Sequence, residues 1–219
     1  MYGPVRTVVW EGRGREAPPY PDYTRSLELR LRVLRADHPL IGTTRAYLGL
    51  ALHKAGDRRA ETTYRTALEE LLASRGPENP YVGNLHADLG MLLAEQGRYR
   101  EACPELRAAL ETLRPIFGEE DQRTDGARAG LGFALCGLGR TDEAAPLLRA
   151  SREWRQGRYP EGHWRHAELD LYEAECLATS GRSGEATRRI EAAGELLTRT
   201  EPPNQSLIRL ARRLASEAR

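Results

Sequence analysis

One glycine recurs along this chain at almost fixed spacing, closing the same short pattern each time. The stretches Leu48-Gly49 to Gly56, Leu89-Gly90 to Gly97 and Leu131-Gly132 to Gly139 share one order of large, small and terminal glycine residues, and Cys176 to Gly181 repeats its tail. The terminal glycines Gly56, Gly97, Gly139 and Gly181 are separated by 41, 42 and 42 residues. Residues beyond each glycine are in phase too: Tyr64, Leu106, Leu148 and Ile190 align, as do Ala67, Ala109, Ser151 and Ala193. A phased period of this length means that the chain is built by stacking one supersecondary unit, and this limits the fold more than any single motif does.

Apolar residues inside each half of the unit recur at steps of three and four, as in Leu89, Leu92, Leu93 and in Leu106, Leu110, Leu113. That is the period of an amphipathic helix, so each unit is predicted to be two helices. The glycine between the halves stops the first helix in a conformation with positive φ. The boundaries His38-Pro39, Asn79-Pro80, Asp121-Gln122 and His163-Trp164 start the next unit. Small residues at Gly49, Gly90, Gly132 and Ala174, and at Ala60, Ala102, Ala144 and Ala186, are expected to let the paired helices approach closely.

The order Leu-Gly-x-x-Leu, Gly, Ala, large apolar, Ala resembles the tetratricopeptide repeat in its long 42-residue form, as in kinesin light chains and many bacterial multi-repeat proteins. Pro104 and Pro146, taken as helix-opening prolines, and Asp37-His38-Pro39 resemble the same subgroup. The resemblance implies an all-α fold, a right-handed α-α superhelix of four hairpins. The expected division is an irregular segment 1–21, a half-repeat 22–37, repeats 38–78, 79–120, 121–162 and 163–203, and a capping helix 204–219. The half-repeat lacks a first helix, which suggests a piece of something longer.

Charge and motifs narrow the function. The 33 Lys plus Arg against 32 Asp plus Glu leave a net charge of +1, so neither nucleic acid nor an anionic membrane is an expected partner. There is no run of about 18 apolar residues and no leader-like start, so a cytoplasmic location is expected. Cys103, Cys136 and Cys176 form no CxxC pair and are expected to be separate small apolar core residues. Gly12-Arg13-Gly14-Arg15-Glu16-Ala17 matches a dinucleotide fingerprint only formally, because Pro18 and Pro19 deny it the helix it needs. His163 and His166 could share a helix face as metal ligands, but His163 reads better as a helix-opening residue, like His38. Arg188-Arg189 and Arg212-Arg213 read as solvent-facing pairs. No catalytic constellation, cofactor motif or metal site is expected.

In the family this chain resembles, the first helix of each pair lines a concave groove. The resemblance nominates Tyr47, Leu50, His53 and Lys54 in the first unit, and Asn84, Asp88 and Met91 in the second. Phe133 is nominated in the third, and Tyr172 and Glu175 in the fourth. The Lys, Arg and Asn clamp of chaperone-binding relatives is absent, as are the groove asparagines of kinesin light chains. Tyr47, Leu50, Met91, Phe133 and Tyr172 instead suggest an apolar, partly aromatic strip for a protein or peptide partner. The arginine-rich array also resembles the C-terminal region of bacterial serine/threonine protein kinases, so a kinase or regulator domain in cis is the alternative partner. In the fourth unit Glu173 replaces the leucine and Ala174 the glycine, which predicts looser packing there.

Overall fold

The computed structural model describes residues 20–200 and 204–218. The Gly12 to Ala17 stretch, and all but the last two residues of the segment read as irregular, lie outside them. Ten helices and no strand are formed by the described residues: α1 Tyr20–Val33, α2 Pro39–Ala55, α3 Ala60–Arg75, α4 Pro80–Glu95, α5 Tyr99–Phe117, α6 Gln122–Gly137, α7 Thr141–Gln156, α8 Trp164–Thr179, α9 Ser183–Arg199 and α10 Gln205–Glu217. α2/α3, α4/α5, α6/α7 and α8/α9 are hairpins stacked in chain order into the α-α superhelix, with α1 against α2 at one end.

The boundary residues act as caps. His38 accepts from the Leu40 amide at 3.2 Å, Asn79 from Tyr81 at 3.0 Å, Asp121 from Arg123 at 2.8 Å and His163 from Arg165 at 3.2 Å. Each side chain satisfies an amide that has no partner within its own helix. At the other end of each first helix, Gly56, Gly97, Gly139 and Gly181 hold φ between 70° and 77°, which only glycine adopts at little cost. Pro104 and Pro146 do not open their helices. They sit one turn inside α5 and α7, whose first residues are Tyr99 and Thr141.

Within each hairpin the small residue of the first helix meets the large residue of the second. A methyl group added at Gly49 would lie 2.6 Å from Tyr64, at Gly90 2.6 Å from Leu106, and at Gly132 2.6 Å from Leu148. Ala60, Ala102, Ala144 and Ala186 are buried on the other side of the contact.

The third hairpin departs from this rule at a second contact point. Gly42 faces Leu71 and Gly83 faces Leu113, but the residues in register in the third unit are Asp125 and Arg155. Both are fully buried. Arg155 Nε donates to Asp125 at 2.9 Å, and its Nη1 reaches both Glu168 at 2.9 Å and the Arg165 carbonyl at 2.6 Å. Arg128 donates to the second Asp125 oxygen at 2.9 Å and to Ser151 at 3.2 Å. One glycine-leucine contact has been exchanged for an ion pair that ties α6, α7 and α8 together. Glu173, the site of the predicted looser packing, is also held by charge: it pairs with Arg152 of α7 and Arg189 of α9. Arg189 is therefore not a free solvent-facing arginine, whereas Arg188 is exposed.

The cysteines correct the sequence reading. Cys136 of α6 and Cys176 of α8 are joined by a disulfide with Cα atoms 4.5 Å apart, and only Cys103 is free and buried. Their separation of 40 residues is close to one repeat, so stacking places them on adjacent first helices. Closing a loop of that length restricts the unfolded chain by about 4 kcal/mol in the chain-entropy account.

Both kinds of hairpin contact can be probed by substitution. Ala102→Leu and Ala144→Leu should each lower stability by about 1–3 kcal/mol through overpacking, measured by urea unfolding. Asp125→Gly alone should cost about 3–5 kcal/mol by taking a buried acceptor from both Arg155 and Arg128, whereas Asp125→Gly with Arg155→Leu, which rebuilds the contact of the other hairpins and leaves Arg128 with Ser151 and Glu119, should recover part of it. Equal losses in the single and double variants would refute the exchange.

Candidate partner-binding face

The concave side is lined by α2, α4, α6 and α8, the first helices of the hairpins, because the second helices stack outside them. Its two halves differ. In the first half Tyr47 is 46% exposed and stacks on Tyr23, ring centroids 5.9 Å apart, and Tyr81 is exposed as well. Leu50, Asn84 and Met91 are half-buried beside them, and Lys54 is exposed. Asp88 sits half-buried among these groups with no hydrogen-bond or ion-pair partner among the described residues. Burial lifts its carboxyl to about 6, and the nearby positive charges of His53 and Lys54 only partly oppose the rise.

The second half is closed. Phe133 has no exposed surface and Tyr172 only 2%, so these two nominated residues are core and not an open strip. Their rings stack at 4.7 Å, and Tyr99 meets Phe133 edge-on at 5.6 Å. The Tyr172 hydroxyl reaches Met91 Sδ at 4.0 Å, which joins the fourth hairpin to the second across the concave side. Tyr99, which the sequence reading did not single out, donates to Glu175 at 2.7 Å and accepts from Arg213 at 2.9 Å. Burial raises the Glu175 carboxyl, while the Tyr99 hydrogen bond and the Arg213 charge work against the rise. His53 is buried too, held by Glu95 at 2.9 Å and edge-on to Tyr64.

α10 lies beside these buried groups, tied to Tyr99 through Arg213. It packs on α9 and α8 as a fifth first helix would, but it also touches α2, at the opposite end of the array. Leu207, Ile208, Leu210, Ala211 and Leu214 are buried. Arg209 donates to the carbonyls of His53 and Lys54 at 3.0 Å each, at the negative end of the α2 dipole. Ser206 donates to Glu95 at 2.7 Å. Arg213, read as a surface arginine, is tied to Tyr99 and Glu217, while Arg212 is exposed.

Of the ten nominated groove residues, Tyr47, Leu50, Lys54, Asn84, Asp88 and Met91 are exposed or half-buried, and His53, Phe133, Tyr172 and Glu175 are buried. Among the described residues no group of three or more His, Cys, Asp or Glu side chains is placed to hold a metal ion. His163 is engaged as a cap, and His166 Nε2 lies 3.3 Å from the Tyr159 carbonyl. No helix of the described residues is long and apolar enough to cross a membrane.

Comparison with known proteins agrees with this architecture. The tetratricopeptide repeat family model matches residues 81–156. Among solved structures, BtubC (BKLC) from P. vanneervenii aligns at TM-score 0.60 and 20% identity over 80% of this chain and 70% of its own. Two crystal structures of kinesin light chain TPR-like repeats from Podosopora anserina align at TM-scores 0.60 and 0.58 with 16% identity, over 84% and 81% of this chain and 87% and 84% of theirs. No curated protein sequence matches the chain.

The two halves of the face predict opposite outcomes for similar substitutions. Phe133→Ser should cost about 3–5 kcal/mol in urea unfolding, the usual loss for emptying a buried aromatic site. Tyr47→Ser should change stability by less than about 1 kcal/mol, because its ring is already half in water.

Proposed function

We propose that this tetratricopeptide-repeat solenoid is a non-catalytic scaffold that captures a protein or peptide partner on the open half of its concave face. The observation that carries the reading is the juxtaposition of exposed Tyr47 and Tyr81 with the unpartnered Asp88 carboxylate. Tyrosines supply contact area at low conformational cost, and a half-buried carboxylate without a partner is a ready acceptor for a cationic side chain. Leu50, Asn84, Met91 and Lys54 complete the contact surface. The repeat and its fold support interaction in general, and the choice of this half rests on exposure and charge.

A second reading, in which the array is the regulatory arm of a larger protein such as a bacterial serine/threonine kinase, is favoured by one feature of α1. Leu29 and Val33, one turn apart on this helix, are 51% and 77% exposed, an apolar face suited to another helix. The in-frame coding sequence upstream of Met1 separates the two readings: a catalytic or regulator domain there makes the array an arm, and its absence a free-standing adaptor.

Affinity capture from lysate, quantified by mass spectrometry, tests the primary reading. A partner held by the wild-type chain should be lost or weakened about tenfold by Tyr47→Ser and by Asp88→Asn, about the loss expected for one interface contact. With the folded carboxyl near 6 and the ionised form binding the cation, capture should strengthen as pH rises from 5 to 7. In Asp88→Asn the profile should be flat. A partner held equally well by all three chains would place the binding surface elsewhere.

A further inference from the structure

The geometry points to α10 as a displaceable internal ligand of the concave face, and to an external partner of the same chemistry: an amphipathic helix with two cationic side chains one turn apart beside an apolar stripe. This deepens the reading above and rests on it.

The register of α10 is that of a guest in the stack. Each first helix of a stacked array touches its neighbours, as α2 touches α4 and α4 touches α6. α10 keeps that relation to α8 and α9 but also reaches α2, α4 and α5, up to four repeats back in the chain. A helix continuing the stack would not do this. It is how a helix lies in a groove.

The contacts of α10 have a definite chemistry. Leu207, Leu210 and Leu214 fall at i, i+3 and i+7, one apolar stripe, and all three are buried. Arg209 and Arg213 flank it four residues apart, so they project from one side of the helix. Each finds negative potential on the body of the array: Arg209 the terminal carbonyls of α2, and Arg213 the hydroxyl of Tyr99, which is itself bonded to Glu175. The receptor surface thus already reads a basic amphipathic helix. The dock is also imperfect, since Nε of Arg213 is buried without a protein acceptor, a cost that a better-fitted helix would not carry.

If α10 leaves, the open strip at Tyr47 and Asp88 becomes continuous with the apolar surface that α10 now covers.

The test uses the full chain. Hydrogen exchange on the wild-type protein should show α10 amides exchanging about tenfold or more faster than those of α4 and α6, the mark of opening below global unfolding. The probe is a fluorescein-labelled synthetic peptide of residues 204–218. It should bind the full chain carrying Leu207→Ser and Leu214→Ser about tenfold more tightly than the wild-type chain, where α10 competes at high effective concentration. A probe with Arg209→Glu and Arg213→Glu should bind neither. Exchange of α10 in step with α4 and α6, equal probe binding to both chains, or loss of helicity beyond α10 in the serine variant would each overturn the proposal. The readout involves neither Tyr47 nor Asp88. A partner still lost on Asp88→Asn while α10 stays locked would leave the scaffold reading standing without this one.

Discussion

The structure depends on how closely two helices of a hairpin can approach. Gly49, Gly90 and Gly132 admit the side chains of Tyr64, Leu106 and Leu148 to within what would be a clash for any larger residue. Interaxial distance is set by side-chain size at the contact. A constant small residue at the crossing therefore keeps the hairpins alike, and like hairpins stack with a constant small rotation. The curvature of the array, and with it the existence of a concave side, is inherited from that one contact.

The third hairpin shows how a repeat can change its chemistry without changing its shape. Asp125 and Arg155 occupy the positions of a glycine and a leucine, and together they fill the same space with charge. Exchanging only one partner would leave an ion in the core, so the two substitutions make sense only as a pair. Arg128, Ser151 and Glu168 then complete the remaining donors and acceptors. Directional bonds in this network, together with the disulfide between α6 and α8, brace α6, α7 and α8, the last of which packs against α10.

Most of the fold was legible in the sequence because its signals are local and periodic. Period, hairpin, caps and inter-helix glycines all lie within one unit, where the spacing of residues dictates their geometry. The candidate face was legible only in part. Tyr47 and Tyr172 occupy the same register position on their first helices, yet one is half in water and the other is buried, because Tyr172 stacks on Phe133 and reaches Met91 two hairpins away. No periodicity within a unit carries that information. Two misses did leave a trace. Cys136 and Cys176 are spaced by nearly one repeat, and Asp125 and Arg155 break the register at two positions that touch. Both could have been found by aligning the units and asking which departures from the repeat face one another.

The curvature of the four hairpins formed by the described residues puts apolar side chains on the inner side, where an uncovered strip is one that water disfavours. Here the chain covers that strip with α10 as far as the helix reaches, and the aromatic stack of Phe133, Tyr172 and Tyr99 seals what lies beneath. The strip stays open at Tyr47, Tyr81 and Asp88. These side chains are amphipathic or charged, so they tolerate water, and for the same reason they suit a contact that must form and break. The division between a covered apolar half and an open polar-aromatic half thus reflects where the side chains can bear exposure, and it puts the proposed recognition surface at the end of the array farthest from the disulfide.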